Sequence, residues 1–177
     1  ETPDASVAAL SRGIRTITEG ISHKTLPAIG LGTPGLVDIR NGLIKLAADI
    51  GWVDVPFREL VEQSLGLDTY IANRSKVGAL AEFWHGTSKG VKDLIYVSIG
   101  TGVAAGIIHQ GRLFLGANSS AGELGHLTIV PDGPLCPCGN RGCLQQLVSE
   151  QAIANLARQR LRRNPGSLLR GSTGNHP

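Results

Sequence analysis

His126-Leu-Thr-Ile-Val-Pro-Asp-Gly-Pro-Leu-Cys136-Pro-Cys138-Gly-Asn-Arg-Gly-Cys143 places an imidazole ten residues ahead of a C-x-C-x4-C cluster. Three thiolates and one imidazole complete a tetrahedral zinc shell. A closed shell of this kind is structural, because a catalytic zinc keeps one position open. Gly139 and Gly142 let the backbone wrap a tight metal loop. Two other readings exist. Three inert buried cysteines beside an unrelated histidine would leave the glycine-flanked spacing unexplained, and a catalytic ion would lack its open position. All three cysteines of the chain fall in this cluster, an odd set that makes a poor disulfide framework and suits metal in a reducing compartment. The stretch from Pro131 to Cys143 has no hydrophobic periodicity, so the ion is expected to supply the folding energy of the loop.

Working outward, Glu123 stands three residues before His126 in G-A-N-S-S-A-G-E-L-G-H, Gly116 to His126. A carboxylate there can accept hydrogen bonds from ligand hydroxyls while the metal fixes the imidazole. The alternative is that it serves only as a support for the histidine. Gly100-Thr101-Gly102 lies between two expected strands, where small residues let backbone amides approach an anion; a plain hairpin turn would read the same way.

The remaining pattern is α/β. A helix is expected from Asp4 to Gly20, capped by Asp4 or Ser6, with Val7, Leu10, Ile14 and Ile17 as its apolar stripe. Ala28 to Gly32 reads as a buried strand entering the turn Thr33-Pro34-Gly35. Leu36 to Ile39 is expected to pair with Leu43 to Leu46 across Asn41-Gly42. Pro56 and Gly66 bracket a helix from Phe57 to Leu65. Asp68 to Ala72 is a strand, and Ser75 to His85 a third helix. Leu94 to Ile99 is apolar enough for a central strand, with Val103 to Ile108 as its partner, a turn at Gln110-Gly111, and Arg112 to Leu115 continuing the sheet. Leu144 to Leu161 reads as one helix, and the tail from Gly166 to Pro177 as frayed.

Composition narrows the class. A hydrophobic content of 41% with 24 glycines and 4% aromatics fits a soluble, loop-rich α/β protein. No apolar run reaches the roughly 18 residues of a membrane span, and Glu1 to Asp4 lacks the basic and apolar regions of a signal peptide, so a cytoplasmic protein without membrane contact is expected. The net charge of +3 owes much to Arg158, Arg160, Arg162 and Arg163. These suit a solvated helix end, where cations complement the macrodipole, better than a nucleic-acid surface.

Together these segments resemble the ROK family of sugar kinases and sugar-responsive transcription regulators. The resemblance is carried by I-G-L-G-T-P-G-L-V-D (Ile29 to Asp38), A-L-A-E (Ala79 to Glu82), I-G-T-G-V-A-A-G-I (Ile99 to Ile107), Gly116 to His126, and C-P-C-G-N-R-G-C-L (Cys136 to Leu144). It implies an actin-like, ribonuclease H-like α/β fold of the sugar-kinase type with a zinc-bound loop. Residues 1–72 would be the remainder of an N-terminal lobe lacking its first strands, residues 73–165 part of a C-terminal lobe, and residues 166–177 a flexible tail. It further implies sugar contacts from Asn73, Glu123, His126 and Gln145, zinc held by His126, Cys136, Cys138 and Cys143, and Gly100, Thr101 and Gly102 facing ATP phosphates.

The departures from the family pattern decide the function expected. Family kinases usually carry Asn-Asp where this chain has Asn73-Arg74, and that Asp is the general base. An arginine stays protonated and cannot take its place. Gln145 stands where a kinase usually has a sugar-contacting Glu, and Ala104 replaces a glycine. The D-x-G-x-T strand that orients Mg-ATP has no counterpart, so the sequence is expected to begin after it and to stop before the adenosine-binding segment. The resemblance thus implies the effector-binding and oligomerisation domain of a ROK-type regulator without kinase activity. A sugar effector, DNA bound through a preceding winged-helix domain, and a homodimer or tetramer come with it. The alternative is an ATP- and Mg2+-dependent hexose or N-acetylhexosamine kinase, with Asp68, Asp49 or Glu82 as base. A lobe serving only assembly is the third reading.

Overall fold

The computed structural model describes residues 2–20, 27–88, 90–164 and 166–169. The chain divides into two compact units, residues 1–97 with 105–122, and residues 98–104 with 123–177. Residues 170–177 of the tail expected to fray lie outside the described residues.

Helix α1 (Pro3–Ile17) opens the first unit. Its cap is Thr2, not Asp4 or Ser6: the Thr2 hydroxyl accepts from the Ala5 amide at 3.3 Å, and Pro3 takes the first turn, where its missing N–H costs nothing. Val7 is buried, but Ile17 is 75% exposed and leaves the expected stripe. Ser11 takes a buried place instead, its hydroxyl 2.8 Å from that of Ser64 on α2 (Phe57–Leu65). Helix α2 has the expected bounds, because Pro56 precedes it and Gly66 closes it in a left-handed conformation.

Strands β1 (Ala28–Thr33) and β5 (Asp68–Asn73) run parallel, in register from Ala28 opposite Asp68 to Thr33 opposite Asn73. Strands β2 (Leu36–Asp38), β3 (Leu43–Ala47) and β4 (Trp52–Val55) form an antiparallel sheet in the order β2-β3-β4. The β2–β3 connection is one residue wider than expected, because β2 ends at Asp38 rather than Ile39 and Asp38 pairs with Leu43. The Asp38 carboxylate holds it open, accepting from the Asn41 amide at 3.2 Å and its side chain at 2.8 Å. Strand β4 is an addition. Trp52 and Val55 point inward, Val53 and Asp54 outward, and Asp54 has φ 48°, so the two-residue alternation that marks a strand is lost. The core collects Val37, Ile44, Ala47, Val55, Val61 and Ile71, with the Trp52 and Phe57 rings 5.4 Å apart. Each buried Val or Ile contributes about 1.5–3 kcal/mol.

Helix α3 (Arg74–His85) follows β5 directly, capped by Asn73. Strands β6 (Leu94–Ile99), β7 (Val103–His109) and β8 (Arg112–Leu113) form a sheet in that order. Among the described residues β6 is therefore an edge strand rather than a central one, and Ile95, Val97 and Ile99 are 65%, 50% and 57% exposed. Its apolar run suggested burial on both faces, yet only alternate residues are covered. Strand β8 stops at Leu113, short of the Leu115 expected.

In the second unit the single helix expected from Leu144 to Leu161 is broken into α4 (Gln145–Val148) and α5 (Glu150–Arg163). Ser149 is the break: extended, it caps α5 by accepting from the Ala152 amide at 3.3 Å. No described helix is long and apolar enough to cross a membrane.

Candidate metal centre and ligand-facing residues

Backbone hydrogen bonds give the loop from Pro131 to Cys143 its shape. Ile129 N–H donates to the Gly142 carbonyl (2.8 Å), Gly142 N–H to Pro134 (2.8 Å), and Cys136 N–H to Asn140 (2.8 Å), so two small hairpins nest inside one another. Gly142 has φ +64° and lies so close under Val130 that a Cβ would run into its carbonyl; no other residue fits there. This folding carries Cys136, Cys138 and Cys143 toward His126, which ends a short 3-10 turn, Leu124–His126.

The four donor atoms lie within 4.8 Å of one another. Cys138 Sγ stands 3.7 Å from Cys143 Sγ, and His126 Nδ1 3.8 Å from Cys136 Sγ. A zinc tetrahedron with Zn–S bonds of about 2.3 Å has S–S edges of about 3.8 Å, so both distances fit a bound ion. Cys136 and Cys143 are buried, and Cys138 and His126 half-buried. Burial pushes the Cys136 thiol up, but hydrogen bonds from Cys138, His126 and Cys143 outweigh it and leave the thiol lowered to about 7. Burial, reinforced by Cys136 and Cys138, pushes Cys143 up to about 12. A catalytic zinc with an open position is not what this donor set offers: three sulfurs and one nitrogen close a tetrahedron.

Two further groups reach this cluster from α4. The Gln145 amide donates to Cys136 Sγ at 3.5 Å and the Gln146 amide to the same sulfur at 3.7 Å. Gln145 is only 7% exposed. Gln146 is not among the residues the sequence singles out. The one signal pointing to it is its place beside Gln145, three residues after Cys143, at the start of a helix that faces the cluster.

Glu123 is half-buried at the start of the 3-10 turn, its carbonyl accepting from the His126 amide at 3.2 Å. The Gly100-Thr101-Gly102 loop is closed on itself, since Gly100 N–H donates to the Gly102 carbonyl at 2.9 Å, and the Glu150 amide at the start of α5 donates to the Gly100 carbonyl at 2.9 Å. The Glu150 carboxylate comes within 3.9 Å of where a Cβ on Gly100 would stand.

Asn73 and Arg74 belong to the first unit, at the C-terminal ends of β1 and β5, the side of a parallel pair where ligands collect. Asn73 is 7% exposed, donating to the Gly35 carbonyl at 2.8 Å and accepting from the Ser75 amide at 2.9 Å. Arg74 is exposed, its Cγ 3.4 Å from where a Cβ on Gly32 would stand.

The chain belongs to the ROK family, whose sequence profile matches residues 1–172. Its relatives include both regulators and kinases. It is 43% identical over 136 residues to the xylose repressor of Caldicellulosiruptor bescii, covering 77% of this chain and 34% of the repressor. Among solved structures it is similar to a ROK family glucokinase from Streptomyces griseus in complex with glucose and AMPPNP (TM-score 0.83, 34% identity, 90% of this chain and 50% of that one). It is likewise similar to a ROK family transcriptional regulator, a homologue of the E. coli MLC protein (TM-score 0.78, 30% identity, 97% of this chain and 44% of that one). The chain thus spans a third to a half of the length of these relatives.

Proposed function

We infer that this chain is the effector-binding and oligomerisation part of a ROK-type transcriptional regulator that binds a sugar without phosphorylating it. The observation that carries the reading is the setting of Arg74. It occupies the place where a family kinase usually has its general base, and two of the carboxylates that could stand in for that base, Asp68 and Glu82, lie well away from it. Asp68 begins the six-residue strand β5 that ends before Arg74, roughly 17 Å away at the usual rise per residue. Glu82 lies eight residues along α3, about 12 Å away. Its carboxylate is engaged by the Thr87 amide (2.9 Å), the Thr87 hydroxyl (3.0 Å) and the Ser88 hydroxyl (3.1 Å). Asp49 lies in the turn between β3 and β4. The closed Gly100–Gly102 loop supports the same reading, because an amide spent on Gly102 is not offered to a phosphate.

In this reading a zinc ion is held by His126, Cys136, Cys138 and Cys143, and it fixes the His126 ring beside Glu123. These two residues are the pair that face sugar hydroxyls. Asn73 and Gln145, also assigned to sugar by the family pattern, contribute by holding a turn and a sulfur. Residues 1–72 and 73–165 are parts of the two lobes. DNA contact through a winged-helix domain, assembly into dimers or tetramers and a cytoplasmic location complete the proposal. The sugar shifts the regulator between states by binding one of them more tightly.

Calorimetric titration of the full-length protein with glucose, xylose, N-acetylglucosamine and N-acetylmannosamine, alongside an ATP-dependent phosphorylation assay, tests it. Binding without turnover is expected. Robust phosphorylation by the wild-type protein would instead establish the kinase alternative.

A further inference from the structure

We propose that Gln145, seconded by Gln146, is a positioning residue of the metal centre: both side-chain amides donate to the Cys136 sulfur, so residue 145 of this chain serves the metal. The inference rests on the metal-centre reading above.

A metal-bound thiolate accepts hydrogen bonds and donates none, so an amide at 3.5 Å must present its N–H to Cys136. The remaining polar atom of Gln145 lies beside two glycines. Its Oε1 stands 2.9 Å from where a Cβ on Gly125 would be and 3.3 Å from the corresponding point on Gly102. Both glycines are the clearance that lets this side chain lie flat between them. With 7% exposure, Gln145 is largely enclosed, and its amide nitrogen is committed to the sulfur.

Three thiolates around a divalent cation carry one net negative charge. Two neutral N–H donors on one sulfur spread that charge without adding to it, whereas Gln145→Glu would set a second negative charge against the thiolate and would turn away from it. The identity of residue 145 therefore sets its direction: amide inward to sulfur, carboxylate outward. Gln146, half-buried and 3.7 Å from the same sulfur, is the weaker partner.

The test uses the full-length protein. Zinc affinity is measured by competition with a chromophoric chelator, and the sulfur-to-metal charge-transfer band is recorded on the cobalt(II)-substituted protein, for wild type, Gln145→Glu, Gln145→Met and Gln146→Leu. Gln145→Glu is expected to weaken zinc binding about 10- to 100-fold, the usual cost of losing a partner of a metal ligand. Gln145→Met and Gln146→Leu are expected to move the band to lower energy, because a sulfur without its N–H donor is more easily oxidised. Should Gln145→Glu fail to fold, the Gln146→Leu band still decides. An unmoved band in Gln145→Met and Gln146→Leu overturns the proposal. So does loss of sugar binding in Gln145→Met with band and zinc affinity unchanged, since that would assign residue 145 to the ligand. A wild-type protein that takes up no zinc overturns the metal-centre reading itself, and is told apart because the failure appears before any substitution.

Discussion

Asn73 ties the turn at Gly35 to the start of α3: its amide nitrogen donates to the Gly35 carbonyl at 2.8 Å while its oxygen caps Ser75 at 2.9 Å. One buried side chain thus fixes the ends of both parallel strands. Asn73→Ala is expected to lower stability by about 1–2 kcal/mol through the lost cap. Asn73→Asp keeps the cap acceptor but sets a buried carboxylate oxygen against the Gly35 carbonyl, so it should cost at least as much. Denaturant titration of both variants checks the order.

Removing the metal should unfold the loop. Cys138 and Cys143 sulfurs at 3.7 Å are far from the roughly 2.05 Å of a disulfide, so no covalent staple replaces the ion. Chelation, or Cys138→Ser, is expected to lower the melting temperature and to expose the Cys136 and Gly142 amides to hydrogen exchange. Unchanged melting after verified metal removal would contradict the structural role.

Glu123→Ala should abolish sugar binding and leave zinc content intact, read by calorimetry and by metal analysis on the same preparation. Loss of both together would make Glu123 a support for His126 instead.

Arg74 places a cation on the first residue of α3, where the helix dipole opposes it. Arg74→Asp is therefore expected to raise stability by roughly 0.3–1 kcal/mol. It should not by itself create ATP-dependent turnover, because the Gly100 amide remains closed on Gly102. A coupled phosphorylation assay alongside thermal melting tests both halves.

The loop after α3 should depend on pH. The Thr87 hydroxyl first, then the Ser88 hydroxyl and the Thr87 amide, hold the Glu82 carboxyl below its usual 4.5. A lowered folded pKa gives stabilisation that is present above the unfolded value and lost as pH falls through the folded one. Thr87 amide protection is thus expected to hold above about pH 4.5 and to fall below it, and Glu82→Gln should remove that dependence.

Where sequence reading worked, a local signal was strong: Pro56 and Gly66 bounded α2, and the spacing from His126 to Cys143 predicted the cluster whose donor atoms lie within 4.8 Å of one another. Where it failed, a side chain overrode the pattern. Ser149 reads as one more helical residue until its hydroxyl is seen capping α5. Asp38 widens a turn that Asn41-Gly42 would close. Trp52 to Val55 hides its strand because Asp54 breaks the alternation. Within the metal centre, the thiolates were legible because spacing alone defines them. The inward turn of Gln145 was not, since it depends on Gly102 and Gly125, which lie far from it in sequence and meet it only after folding.

The compact span of the donor set also bears on the order of assembly. His126 and Cys136 are ten residues apart, and a loop of that length closes in about 10–100 ns. Pairing β1 with β5 instead joins Ala28 to Asp68, a far longer search through chain entropy. If the cluster holds the ion proposed above, these hairpins would close locally as soon as Cys143 is made, ahead of the β1–β5 pairing, and would serve as an early nucleus rather than a late fastening on a finished fold.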